Sequence, residues 1–246
     1  MKKQLSITLA SAMAFGTIVP VLATEIETVA NDFTSHWAQD VIEDAMANGY
    51  VDLSEEFRPN DAITRAEFTK IVCTMFGIDT ENLDEKEETF SDISEDNWYY
   101  EYVVALHNEG EVGSIINGYE DGTFRPNQTI TREEAAKVVA QAFLVRGGEL
   151  NLLETIDLDG NISLVTTSGT ITSAEVTTTT NSTIVHLDSK TSFIDDEEIR
   201  AWADGSVSNL QDKNIIEGYE DNTFRPQNTI TRAEALVMLN RGKDLL

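Results

Sequence analysis

One eleven-residue phrase is written three times along this chain. It reads Phe57-Arg-Pro-Asn-Asp-Ala-Ile-Thr-Arg-Ala-Glu67, then Phe124-Arg-Pro-Asn-Gln-Thr-Ile-Thr-Arg-Glu-Glu134, then Phe224-Arg-Pro-Gln-Asn-Thr-Ile-Thr-Arg-Ala-Glu234. Identical internal spacing over that length is not compositional noise, and a repeat decides architecture before any single residue does. A tryptophan lies upstream of each copy, at Trp37, Trp98 and Trp202. The chain is three related modules, and its function lies in what one module does three times.

The first residues read as a processing signal. Lys2 and Lys3 precede an apolar run from Leu5 to Leu22, and Val21-Leu22-Ala23 puts small residues where a signal peptidase reads them. A permanent membrane anchor is the alternative. The run is short for a span, rich in Ala, Ser and Thr, and holds Pro20. Residues 1–23 are therefore expected to be a signal peptide, leaving a secreted protein with no membrane attachment. No Cys follows Ala23, which argues against a lipoprotein.

The 246 residues carry a formal charge of −27. So acidic a chain repels nucleic acid and anionic membranes, and no basic patch opposes that. An anionic ligand must then be held by local arginines. The only cysteine, Cys73, rules out an internal disulfide. In the apolar stretch Lys70-Ile-Val-Cys-Thr-Met-Phe76 it reads as a small buried hydrophobe rather than a reactive thiol.

Each module shares one grammar. An aromatic opener comes first, at Phe33, Phe90 and Phe193; Asp92 and Asp195 accompany the second and third, and the first reads as lacking the aspartate near its opener. A helix starts near the tryptophan. Trp37, Val41 and Ala45, then Trp98, Tyr102 and Leu106, then Trp202, Val207 and Leu210 form stripes that read as core-facing. The tryptophans then pack, with a ligand platform as the alternative. Asn48-Gly49, Glu109-Gly110 and Lys213-Asn214 end these helices. Loops follow, as Gly118-Tyr-Glu-Asp-Gly-Thr-Phe124 and Gly218-Tyr-Glu-Asp-Asn-Thr-Phe224, with a tight turn at Asp-Gly or Asp-Asn. The proline of each phrase predicts extended backbone at the arginine before it. Thr64/Glu67, Thr131/Glu134 and Thr231/Glu234 predict capping boxes that start a second helix, with Ile63 and Phe68 as a hydrophobic staple.

The interval between the second and third phrases is longer than that between the first and second. The excess, 147–192, is rich in Thr, Ser, Ile and Val and alternates over 161–167, 170–176 and 182–188. It reads as a small β insert of three or four strands, the alternative being a flexible linker.

Trp, then Gly-Tyr-x-Asp-Gly-Thr-Phe-x-Pro, then Ile-Thr-Arg-Ala-Glu resembles the S-layer homology module. The resemblance covers 33–78, 90–146 and, with the last helix, 193–246. It implies a mainly α fold: a pseudo-threefold prism of helix-loop-helix modules around a central three-helix bundle, plus the β insert. It further implies non-covalent anchoring of a surface protein to the cell wall or S-layer of a Gram-positive bacterium. The implied ligand is a secondary cell-wall polysaccharide whose pyruvate ketals carry carboxylates, bound in grooves between modules. Arg65, Arg132 and Arg232 stand in the first turn of capped helices, where free amides and the helix dipole favour an anion and a guanidinium adds planar recognition. A salt bridge to a nearby Asp or Glu is the alternative for each. Gly118, Tyr119, Asp121, Gly218, Tyr219, Asp221, Trp98 and Trp202 complete the expected ligand-binding set, with the tyrosines offering a ring face to a sugar. Arg132 and Arg232 are expected to dominate over Arg65, because their own loops keep the family turn and the loop at Gly49-Tyr-Val-Asp-Leu-Ser-Glu-Glu-Phe57 does not.

An enzyme is the main rival. His36, His107 and His186 lack metal spacing, and no nucleophile elbow or phosphate loop is present. Asp157-Leu-Asp159-Gly-Asn161 has Ser168 where a calcium loop needs its acidic ligand, and reads as a hairpin turn. No catalytic residue, cofactor or metal is expected. With the chain ending at Leu246, no cargo domain is expected either. The alternatives are then a structural S-layer component, or an adaptor that binds a surface protein through 147–192.

Overall fold

The Thr-Arg-x-Glu tail of each phrase starts a helix, in a computed structural model that describes residues 31–52, 56–81, 83, 90–109, 114–148, 150, 174–179, 182–187 and 191–246. Among the described residues there are six α-helices: α1 (Gln39–Ala47), α2 (Arg65–Phe76), α3 (Tyr100–Asn108), α4 (Arg132–Val145), α5 (Ala201–Asp212) and α6 (Arg232–Lys243). A hairpin joins β1 (Ala174–Thr179) to β2 (Ser182–Leu187). The fold is mainly α. No described helix is long and apolar enough to cross a membrane.

All three capping boxes are complete. The Thr64, Thr131 and Thr231 hydroxyls accept from the amides of Glu67, Glu134 and Glu234 at 3.2, 3.3 and 3.2 Å. The three carboxylates accept from the threonine amides at 2.9 Å. The two amides that remain at each helix start are taken by another module. Arg65 and Ala66 donate to the Gln128 and Pro126 carbonyls, Arg132 and Glu133 to Asn228 and Pro226, and Arg232 and Ala233 to Asp61 and Pro59. Just before the caps, Ile63 donates to Ile230, Ile130 to Ile63 and Ile230 to Ile130, each at 3.1 Å. These three bonds close a ring, so the repeat is a cyclic object.

Helices α2, α4 and α6 touch one another pairwise and form the central bundle. The tryptophan-side helices pack on it out of step with the sequence. Helix α3 lies on α2, α5 on α4, and α1 on α6. Each thus covers the second helix of the preceding module, and the first module covers the last. Their buried stripes are Ala38, Ile42, Ala45 and Met46; Tyr99, Val103 and Leu106; and Ala203, Val207 and Leu210. Ala45, Leu106, Val207 and Leu210 face the core as the spacing predicts. The tryptophans do not: Trp37, Trp98 and Trp202 are 66%, 57% and 47% exposed. Trp37 and Trp98 precede α1 and α3, off the helical stripe.

The openers pack on the phenylalanine of their own phrase. Phe33 meets Phe57, Phe90 meets Phe124 and Phe193 meets Phe224, with centroids 6.2, 5.6 and 5.4 Å apart. Beside each pair an aspartate clamps two successive amides. Asp92 takes those of Phe124 and Arg125 at 2.7 Å, and Asp195 those of Phe224 and Arg225 at 2.7 Å. The first module has its aspartate after all, on the other side of the opener: Asp32 takes the Phe57 and Arg58 amides at 2.7 and 2.6 Å. The clamp overrides the proline. Arg58, Arg125 and Arg225 have φ of 58°, 59° and 58°, left-handed rather than extended. Two adjacent N–H groups aimed at one carboxylate need such a concave backbone.

In the insert, Ala174 faces Leu187 and Thr179 faces Ser182 in an antiparallel pair. The stretch 182–188 is strand almost as read, whereas the earlier one begins at Ala174 and runs on through Thr179. The stretch 161–167, the loop at Asp157 and residues 1–23 lie outside the described residues. The core reaches into the ends of the insert: Leu150 is buried, and Thr191 is buried with its amide on Asp196. Cys73 is buried, and burial pushes its thiol far above the ordinary range.

Candidate functional site

The motif arginines point across the module boundaries. The Arg65 Nε donates to the Phe124 carbonyl at 2.8 Å, Arg132 to Phe224 at 2.7 Å, and Arg232 to Phe57 at 2.8 Å. Each guanidinium also meets the capping-box glutamate of the next module. Arg65 lies 3.5 Å from Glu134, Arg132 3.5 Å from Glu234, and Arg232 2.9 Å from Glu67. Three arginines and three glutamates thus form a closed belt around the bundle. Arg65 and Arg132 are buried, with side chains 7% and 5% exposed; Arg232 is 14% exposed.

This geometry changes the reading of the site in two ways. The helix amides expected to help hold an anion are occupied by loop carbonyls and capping threonines. The ranking that put Arg65 last rests on each arginine serving its own loop, and each serves the next one. Arg65 faces the loop of Tyr119, Arg132 that of Tyr219, and Arg232 the loop of the first module, which has Asp52 in place of those tyrosines and its own tyrosine, Tyr50, two residues earlier.

The tyrosines are built into the belt. Tyr119 lies under Arg65 and Arg125, at 4.9 and 3.7 Å from ring centre to guanidinium carbon, and Tyr219 under Arg132 and Arg225 at 4.6 and 3.9 Å. Their hydroxyls donate to Glu134 at 2.9 Å and Glu234 at 2.7 Å. Burial, reinforced by those carboxylates, pushes both phenols above their ordinary range, so they stay protonated donors. With two guanidiniums against each ring, the exposed aromatic faces nearby are those of the tryptophans.

Asp121 and Asp221 brace the same unit. Each accepts from a threonine hydroxyl, Thr123 or Thr223, and from Arg125 or Arg225. Those bonds hold both carboxyls down at about 2. Gly118 and Gly218 serve packing. A Cβ there would lie 2.4 Å from Phe90 and 2.7 Å from Phe193, so the opener rings exclude any side chain. Gly118, Tyr119, Asp121 and their third-module counterparts therefore shape the site from within.

Among the described residues, two grooves open onto the belt. One, of about 590 Å³, is bordered by Arg132, Tyr219, Glu234, Arg241 and Trp37. The other, of about 410 Å³, is bordered by Arg232, Glu67, Lys70, Asp52 and Trp98. Each takes its arginine from one module, its loop and helix from the next and its tryptophan from the third. Trp98 stands where a ligand contact was expected; Trp202 is exposed but borders neither groove. Trp37, Lys70, Arg241 and the glutamates escaped the sequence reading. The recurrence of a tryptophan upstream of every phrase is a signal for Trp37, and the glutamates were hidden by their capping role.

The S-layer homology domain model matches residues 31–69, 89–136 and 192–236. An amylopullulanase of Thermoanaerobacterium thermosulfurigenes is 29% identical over 222 residues, 88% of this chain and 10% of that protein. Cell surface glycoprotein 1 of Acetivibrio thermocellus is 31% identical over 200 residues, 80% of this chain and 7% of that one. A cellulosome-anchoring protein of the same organism is 30% identical over 187 residues, 76% of this chain and 33% of it. The chain thus spans a third or less of each of these relatives.

Proposed function

Because the chain belongs to the S-layer homology family, we propose that it anchors a surface protein non-covalently to a bacterial cell wall. In this reading secondary cell-wall polysaccharide lies in the grooves between modules, and a pyruvate-ketal carboxylate on it meets the arginine belt. The observation that carries the reading is the composite groove. Arginine, cation-bearing helix and exposed tryptophan come from three modules, which suits an anionic sugar: charge for its carboxylate and a flat apolar face for its ring. The names of the surface glycoprotein and of the cellulosome-anchoring protein support it. Two further points belong to the same proposal. Residues 1–23 direct export to the wall of a Gram-positive bacterium, and the chain itself is not catalytic. The shared stretch is a tenth of the amylopullulanase.

Sedimentation with purified wall sacculi tests the reading. The protein is expected to pellet with untreated sacculi and to stay in solution once the polysaccharide is extracted. Removal of the pyruvate groups alone should release it too; retention after that step would point to a different feature of the polymer.

A second reading rests on the hairpin. Two strands alone are marginally stable in water, and a two-stranded sheet offers both edges to another strand. The insert would then capture a surface protein, making the chain an adaptor. A pull-down with the full chain, with and without the insert, checks this.

A further inference from the structure

The three arginine sites are not equivalent, and the difference singles out one groove. At Arg65 and Arg132 a tyrosine ring lies on the guanidinium, and its hydroxyl bonds the glutamate that the arginine faces. Five residues before Phe124 and Phe224 stand Tyr119 and Tyr219; five before Phe57 stands Asp52, which is exposed. Among the described aromatic rings, Phe57 alone therefore lies against the Arg232 guanidinium, at 4.9 Å. Its side chain is the most accessible of the three.

The Lys70 pair beside it is loosely held. Lys70 reaches Asp52 at 3.2 Å, but Asp52 is 90% exposed. Such a surface pair contributes little, and another carboxylate can replace it. Glu67 is shared, with Arg232 at 2.9 Å and Arg58 at 3.7 Å. The larger groove is less suited to an anion. Arg132 and Arg241 there stand among Glu217, Glu220 and Glu234, and Arg241 is already paired with Glu217 at 2.9 Å. In the smaller groove Lys70 and Arg232 balance Asp52 and Glu67, and Trp98 flanks them.

Building on the anchoring reading, we propose that the groove of Arg232, Lys70 and Trp98 is the principal carboxylate-binding groove, with Lys70 as the ligand's second cation. A sugar carboxylate displaces Asp52 from Lys70 and shares Arg232 with Glu67, while the sugar ring lies on the Trp98 indole. The volume of about 410 Å³ suits one or two sugar units rather than a long segment of polymer.

Calorimetric titration of the full chain with a methyl glycoside bearing a pyruvate ketal, and with its neutral carboxamide, tests this. Lys70→Met and Trp98→Ala are each expected to weaken the acid glycoside at least tenfold, whereas Trp37→Ala in the other groove changes it less than twofold. The carboxamide should lose the same factor on the unaltered protein and show no further loss with Lys70→Met. Unfolding temperatures should match for all variants, because the exchanged side chains are exposed or loosely paired. Unchanged affinity in Lys70→Met, or a larger loss in Trp37→Ala, overturns the assignment while sacculus binding stands. Failure of the unaltered protein to bind either the glycoside or sacculi overturns the anchoring reading along with it.

Discussion

Glu133 is a charged residue where the other two phrases have buried alanines, Ala66 and Ala233. Its carboxylate is completely buried and pairs with the Arg200 guanidinium, while its other oxygen accepts the Arg200 amide at 3.1 Å. The pair fastens the start of α5 to the start of α4. Arg200→Ala strands that carboxylate and should cost about 2 kcal/mol, below the range for a fully buried pair because Arg200 is half in water. Glu133→Ala combined with Arg200→Ala should recover most of it, since alanine serves in the sister modules. Urea unfolding of the single and double variants checks both. Asp32 carries a parallel expectation. Its two amide bonds equal those of Asp92 and Asp195, so Asp32→Ala should cost the same, about 1.5–3 kcal/mol. A much smaller loss for Asp32 in the same unfolding series would show that the first clamp is dispensable.

The helices start where they do because the caps are local, and the insert is expected to be dispensable to the core described on its two sides. Leu150 and Thr191 mark the limits on either side. Replacing residues 151–190 with a short Gly/Ser linker should leave the unfolding temperature and sacculus binding unchanged. Leu150→Ala should instead cost about 2–5 kcal/mol, because it opens a cavity in packed core. A calorimetric scan of the two proteins separates excursion from core. Marked destabilisation of the linker form would make the hairpin part of the fold.

For the molecule as a whole, the belt ties stability to pH. Burial pushes the Glu67 and Glu234 carboxyls up, but the capping amides and hydroxyls, the Tyr219 hydroxyl at Glu234 and the facing arginines outweigh it and hold both below the ordinary value of 4.5. A carboxylate so held stabilises the fold above that value and loses its contribution as pH falls through the depressed one. Stability should therefore be level at neutral pH and fall below about pH 4.5. Asp121 and Asp221 continue the loss toward pH 2. Thermal scans from pH 7 to pH 3 check this, and Glu67→Gln should flatten part of the slope. Ring closure makes a second prediction. Deleting residues 31–51 removes α1 from α6, so amide exchange should rise first in α6, at the opposite end of the chain.

The sequence by itself determined the number of modules, the three capping boxes, the helix ends at Gly49 and Asn214, and the burial of Cys73. These rest on bonds and periods within a few residues, which one stretch of chain contains whole. It also named the belt arginines, with a salt bridge as one of their two readings. Only the tertiary structure decided their partners. Arg65 meets Glu134 rather than Glu67, α3 covers α2, and Trp37 borders the groove of Arg132. Near-identical copies offer near-identical surfaces, so a repeat cannot say which copy a side chain will meet. Cyclic closure settles that, by bringing the third module against the first and leaving no module to bury its own helix.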